Sequence, residues 1–300
     1  MHIIAKTISM ILISTKVILG QPDSTDVVSG DGLNLTTSDT IRYLNIPERL
    51  ENAIEGSEFV NQVTGLSTTD REQVVVREIL SGNIPSFSRK LKPIKVIETV
   101  NAKSYEIIFY TTYDYIAIGS DQDYLYIPMT PSTGQYLADH MNCSLPTKKV
   151  VDIIYANAEI KLKPQPIPAS DTMTTVPVFR QHTDSIKQQI FQKGLDRLAD
   201  NIIAGHKKDI IISNEIYSTE RTSNRVVIYG WHLDETSPIQ PVYNGHIAWY
   251  ADYSHGVRLI SNTTFINGDS IQVDDVLKDS NLSILLSSEG LISKPYYPRK

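Results

Sequence analysis

The sequence holds a single cysteine, Cys143, among 300 residues. That excludes an intramolecular disulfide framework and any zinc site built on several cysteines. Basic runs are missing as well. The 28 Lys and Arg and 34 Asp and Glu give a formal charge of -6 with neither sign clustered. No nucleic-acid partner is expected, because phosphate contacts need grouped cations that release counterions. Beyond the N-terminus no stretch approaches the roughly 20 apolar residues that cross a bilayer, so no membrane span is expected. Glycine-rich phosphate loops, dinucleotide fingerprints and a Gly-X-Ser-X-Gly elbow are also lacking, which argues against nucleotide-dependent and elbow-type serine chemistry.

Among what is present, the N-terminus stands out first. Lys6 precedes the apolar stretch Ile8–Ile13, Lys16 interrupts it, and Val17-Ile18-Leu19-Gly20 leads into a polar chain from Gln21. Residues 1–20 therefore read as a signal peptide, and the protein is expected to be secreted or periplasmic. Residues 21–40 are rich in Ser, Thr, Asp and Gly and read as a flexible leader. The sequons at Asn34, Asn142, Asn262 and Asn281 are compatible with export, although such triplets also arise by chance.

The rest, 41–300, reads as one α+β domain of antiparallel β-sheets with several packed helices. A subdivision near 161–170, where three prolines force an extended chain, is the alternative. Helices are expected from Pro47 to Leu80, with Asp70 as a cap within the run. Others are expected from Pro131 to about Met141, after Pro146-Thr147, from about Asp184 to Phe191, and over Asp274–Leu286. Strands are expected over Ile94–Val100, Tyr105–Thr112, Tyr115–Gly119 and Tyr124–Pro128, and in the second half over Asp209–Ser213, Arg225–Gly230, Ile247–Asp252 and Gly256–Ile260. Short connections favour antiparallel pairing, since parallel strands need long crossovers.

Four of the seven histidines fall between His206 and His255, and both tryptophans, Trp231 and Trp249, lie there too. Gly205-His206-Lys207-Lys208-Asp209, Tyr229-Gly230-Trp231-His232 and Asp252-Tyr253-Ser254-His255-Gly256 each set a histidine at the end of an expected strand. Histidine suits proton transfer near neutral pH, and strand ends hold side chains rigidly. Three chemistries fit. In the first, Cys143 before the Pro146 helix is a thiolate nucleophile, its pKa lowered by the helix dipole, with His206, His232, Asp252 and His255 as base and orienting groups. In the second, His206, Asp209, His232 and His255 hold a catalytic zinc, the alternative to a reaction without cofactor. In the third, Lys207, Lys208, Trp231 and Arg258 bind an anionic or glycan ligand without catalysis.

A cysteine near a helix start, followed by antiparallel strands that carry histidines, resembles the layout of the papain-like NlpC/P60 cell-wall hydrolases over residues 140–260. Those enzymes usually show Asp-Cys-Ser where this chain has Asn142-Cys143-Ser144. The resemblance implies an amide-bond hydrolase of peptides, with Cys143 as nucleophile and His206 or His255 as base. Asp252 or the other histidine would then orient the base. The expected partner is thus a peptide or glycan-like substrate.

Overall fold

The densest β-branched and aromatic runs of the sequence fold into one hairpin. In the computed structural model, which describes residues 40–195 and 200–299, strand Lys90–Val100 pairs antiparallel with Lys103–Thr112. The register runs unbroken from Leu91↔Thr112 to Val100↔Lys103. Its turn places Asn101 and Ala102 at φ 50° and 61°, the left-handed pair that a two-residue hairpin needs. The tip is solvated, and Ile107–Thr112 at the inner end is buried on both faces. The expected signal peptide 1–20 and the expected leader 21–40, Thr40 apart, lie outside the described residues.

Two sheets carry the domain. The hairpin is the spine of an antiparallel seven-stranded sheet. Arg42–Tyr43 lies on one side of it, and Ile260–Ser261, Cys143–Ser144 and the hairpin Thr263–Ile266/Asp269–Gln272 on the other. A four-stranded sheet follows the order Pro238–Tyr243, Ile228–His232, Lys208–Ile210, His255–Gly256. Its first three strands are antiparallel, but His255–Gly256 joins Lys208–Ile210 in parallel, which the long chain between them permits. A large apolar cluster running from Leu44 to Tyr297 and a smaller one around Tyr113, Tyr115 and Ile186 each take residues from both sides of 161–170.

Helix ends follow local chemistry. Ser67 accepts from the Asp70 amide and caps Thr68–Leu80, which makes Asp70 a first-turn residue and not the cap. Thr147 caps Lys148–Asn157 through the Val150 amide. At Pro131–His140 the buried Glu72 carboxylate accepts from the Thr130 amide and from the Thr130 and Thr133 hydroxyls, so one helix closes the start of another. The helix expected from Asp184 begins earlier, at Val176, and ends at Gln192.

The strand expected over Gly256–Ile260 is two short strands in different sheets, His255–Gly256 and Ile260–Ser261, and the stretch expected to be helical from Pro47 is helical only from Gly56. Two further expectations fail for visible reasons. The helix over Asp274–Leu286 is broken into Val273–Lys278 and Ser283–Leu286, because the Asp279 carboxylate accepts from the Asn281 and Leu282 amides and turns the chain. The strand over Ile247–Asp252 is a turn-rich segment, closed by the Tyr250 amide bonding to the Ile247 carbonyl. The edge strand there is Pro238–Tyr243, whose two prolines are tolerated at a sheet edge.

Tyr297 sews the C-terminal segment into the core. Its hydroxyl donates to the Ile211 carbonyl at 2.8 Å and accepts from the Val227 amide at 3.0 Å. Tyr297→Phe strands a buried amide, so chemical denaturation is expected to show a loss of about 1–3 kcal/mol with the fold retained. An unchanged stability would mean that water replaces the hydroxyl.

Candidate functional site

The four-stranded sheet collects the singled-out residues because of its register. Lys208 lies opposite His255 on one side and Gly230 on the other, and Asp209 lies opposite Gly256 and Tyr229. Opposed residues share a face, so Lys208 and His255 project to one side and Asp209 and Tyr229 to the other. Gly256 is required for close approach. A Cβ there would stand 2.6 Å from Tyr115 Cδ1 and 2.9 Å from Lys207 Cβ. Trp231 sits at φ 60°, a strained conformation for a bulky residue, next to a register shift in its strand. Its amide bonds to the Lys207 carbonyl and its indole Nε1 to the His206 carbonyl, which holds it there.

On the inner face the charges are fully buried. Tyr115 donates to Asp209 Oδ2 at 2.8 Å and Tyr126 to Asp114 Oδ2 at 2.6 Å. His206 Nε2 lies 3.2 Å from Asp114 Oδ1, its ring packed edge-on against Tyr115. Arg258 donates to the Thr112 and Ile203 carbonyls, stands 4.3 Å over the Tyr115 ring, and reaches Asp209 at 3.9 Å and Asp114 at 4.0 Å. Burial pushes the Asp209 carboxyl up to about 6 despite the pull of Arg258 and Tyr115. A cavity of about 10 Å³ bounded by Asp209, His232, Arg258 and Tyr115 has the size of one water. His232 stacks on Tyr155 and lies 3.3 Å from Asp152 Oδ1, which also accepts from Tyr229. Burial works to raise the Asp152 carboxyl, but bonds from His232, Lys148 and Tyr229 outweigh it and hold the group below its usual range.

Deeper in the same region, Lys207 Nζ donates to the Tyr253 carbonyl at 2.6 Å and lies 3.1 Å from His182 Nδ1. Burial pulls this ammonium down to about 7, against the attraction of Asp252 and Asp114. His182 is held far below the usual histidine range by burial and by Lys207.

The outer face is the one that approaches solvent. Asp252 Oδ1 accepts from the Ser254 amide and hydroxyl, and Asp252 Oδ2 stands 3.9 Å from His255 Nε2. Both ring nitrogens of His255 are buried without a hydrogen bond. Burial drives this imidazole well below its usual pKa although Asp252 pulls it up, so it is neutral near pH 7. His246, half-buried, stacks on Tyr250 at 4.2 Å, and its ring lies 6.3 Å from that of His255. The half-buried Lys208 ammonium stands 4.8 Å over the Trp231 ring.

Nine residues chosen from sequence are therefore gathered: His206, Lys207, Lys208, Asp209, Trp231, His232, Asp252, His255 and Arg258. Their expected roles change. Arg258 and Lys207 spend donors on buried carbonyls, and Trp231 is walled in, so of the four expected ligand contacts only Lys208 faces outward. Cys143 stands apart. It pairs with Ser261 in the seven-stranded sheet, its thiol donates to the Met141 carbonyl, and the hollow it lines has no histidine among the described residues. It precedes its helix by several residues instead of opening it, and burial pushes the thiol up to about 12. The thiolate expected from a helix dipole is thus not formed. Among the described residues no group of three or more His, Cys, Asp or Glu converges as a metal site, so His206, Asp209, His232 and His255 do not meet at one point.

Sequence reasoning missed Asp114, Tyr115, Tyr126, Asp152, His182 and His246. His246 had a signal, since Gly245-His246 repeats the Gly-His pair of Gly205-His206. Asp114, set between Tyr113 and Tyr115 in an otherwise apolar stretch, was the other.

Two measurements check these environments. Alkylation of Cys143 in the native protein is expected to be silent from pH 4 to 9 and fast after denaturation; rapid native labelling near pH 6 would contradict the buried thiol. Lys207 titrates near 7 when folded and near 10.5 when unfolded, so the unfolded chain binds more protons between those values. Stability is then lowest below pH 7 and recovers as the pH rises toward 10. Lys207→Met should abolish that recovery in denaturation curves at pH 7 and 9.5, and equal slopes in both proteins would refute the shift.

No family model, no curated protein and no solved structure matches this chain.

Proposed function

We propose that the chain is an exported hydrolase that works by general acid–base chemistry on the outer face of the four-stranded sheet. The observation that supports this reading most is His255, a buried imidazole with two unsatisfied nitrogens beside a carboxylate. Leaving buried polar atoms unpaired costs about 1–3 kcal/mol each, and such costs concentrate where a group must be ready to exchange protons. In this reading the neutral His255 is the base, Asp252 positions it, and the Lys208 ammonium faces the developing oxyanion. Water gives a proton to His255 as its oxygen attacks an amide carbonyl. The same proton then passes to the leaving amine as the C–N bond breaks. Solvent and substrate approach along His246 and Tyr250, the half-buried groups over His255. The substrate class is amide bonds in extracellular or cell-wall peptides, and Cys143 takes no part.

The test is amine release from a panel of short peptides and peptidoglycan fragments. His255→Gln and Asp252→Asn should each lower kcat/KM by about a hundredfold or more with far-UV circular dichroism unchanged, whereas Cys143→Ala should retain full activity. Because burial lowers the pKa of His255, the acidic limb of kcat/KM should lie below the ordinary histidine value of about 6.5. Loss of activity in a folded Cys143→Ala protein, or its survival in His255→Gln, would sink the reading.

A further inference from the structure

The segment 246–250 has two sides. His246 and Tyr250 face His255, and Ile247, Ala248 and Trp249 wall a separate pocket of about 520 Å³. That volume lies within the roughly 300–1,000 Å³ of small-molecule sites. Trp249 is 61% exposed, an unusual position for the largest apolar side chain. Pro131 and Pro298 complete an apolar wall, and Ser132, Ser223 and Asn224 add short polar groups. Two arginines line the same space. Arg299 is already held by Asp139, through Nε at 2.7 Å and Nη2 at 3.1 Å. Arg225 is not. Its Nη1 donates to the Gly245 carbonyl at 3.0 Å, and its Nη2 has neither hydrogen bond nor carboxylate among the described residues.

We infer that this pocket binds a carboxylate-bearing sugar ring, of the uronic-acid type. The three requirements of such a ligand match three features of the wall. The C–H face of a pyranose needs a flat apolar surface, which Trp249 presents. Its carboxylate needs a planar cation, and Arg225 is the one not already neutralised. Its hydroxyls need short donors and acceptors, which Ser132, Ser223 and Asn224 supply. In a chain of net charge -6, a pocket that holds Arg225 uncompensated, and no carboxylate among the described residues of its lining, favours anions. The pocket lies on the far side of the 246–250 segment from His255, and the inference stands without the hydrolase reading.

Titration calorimetry of the full-length protein with trigalacturonate, and with the neutral trisaccharide maltotriose, decides it. Saturable binding of trigalacturonate is expected. Trp249→Ala should weaken it at least about tenfold, and Arg225→Gln by a similar factor, with no effect on maltotriose. Trp249 is exposed, so Trp249→Ala is expected to fold, and Trp249→Phe should keep most of the affinity. Absence of saturable heat at millimolar trigalacturonate would overturn the inference. So would equal affinity for maltotriose, or binding indifferent to both substitutions. None of these outcomes depends on whether the protein turns over a peptide.

Discussion

A guanidinium with no access to water organises this molecule. Arg258 is buried, yet its donors reach the end of the long hairpin at Thr112 and the start of the second half at Ile203. The two carboxylates within 4.0 Å, Asp114 and Asp209, come from the two halves of the chain. Desolvating one arginine is costly, and only partners of opposite sign with satisfied hydrogen bonds offset it. Tyr115 contributes twice, as a face for the cation and as a donor to Asp209. The two sheets are therefore joined by electrostatics as well as by apolar packing.

The same burial sets the character of the neighbouring groups. Lys207 and Asp209 are two positions apart in sequence and ordinary in type, but exclusion of water moves one down to about 7 and the other up to about 6. Both end near neutrality, where proton exchange is fastest for a given driving force. Structural ion networks shift pKa values too, and the inner face, with its tyrosine and arginine bonds satisfied, has that character. Asp209 Oδ1 on the inner face and His182 Nε2 also lack a hydrogen bond, but only the outer face sets such a group, His255, next to half-buried Lys208 and His246. The division between a sealed charged face and one that approaches solvent falls along the single strand Lys208–Ile210.

Much of this was legible beforehand because it is local. The hairpin announces itself through β-branched runs around Asn101, and the helices through Thr147, Pro131 and their apolar spacing. The clustering of His206, His232 and His255 at strand ends was readable for the same reason. Their partners were not, since Asp114, Tyr126 and His182 come from distant segments that only tertiary packing brings in. Nearness in sequence to a helix start does not put Cys143 in the field of its dipole, because a sheet pairing with Ser261 fixes the thiol elsewhere. The Asn267-Gly268 turn carries the strongest short hairpin signal in the chain, and the strands on either side of it went unread. The segment with the exposed Trp249 looked like a strand by composition, but one turn after Ile247 makes it a two-sided wall.

The bond from Arg258 to Thr112 spans 146 residues. Contacts of such separation form late, since the entropy of closing a long loop must be met before any partner rewards it. During synthesis the hairpin can pair as soon as it emerges, while the Thr112 carbonyl waits for a donor still to be translated. The buried guanidinium is thus a checkpoint on completion: a nascent or truncated chain lacking the Arg258 segment has its hairpin but not the donor that ties Thr112 to the second half. Such a species stays open to water, to chaperones and to proteases until the final third arrives.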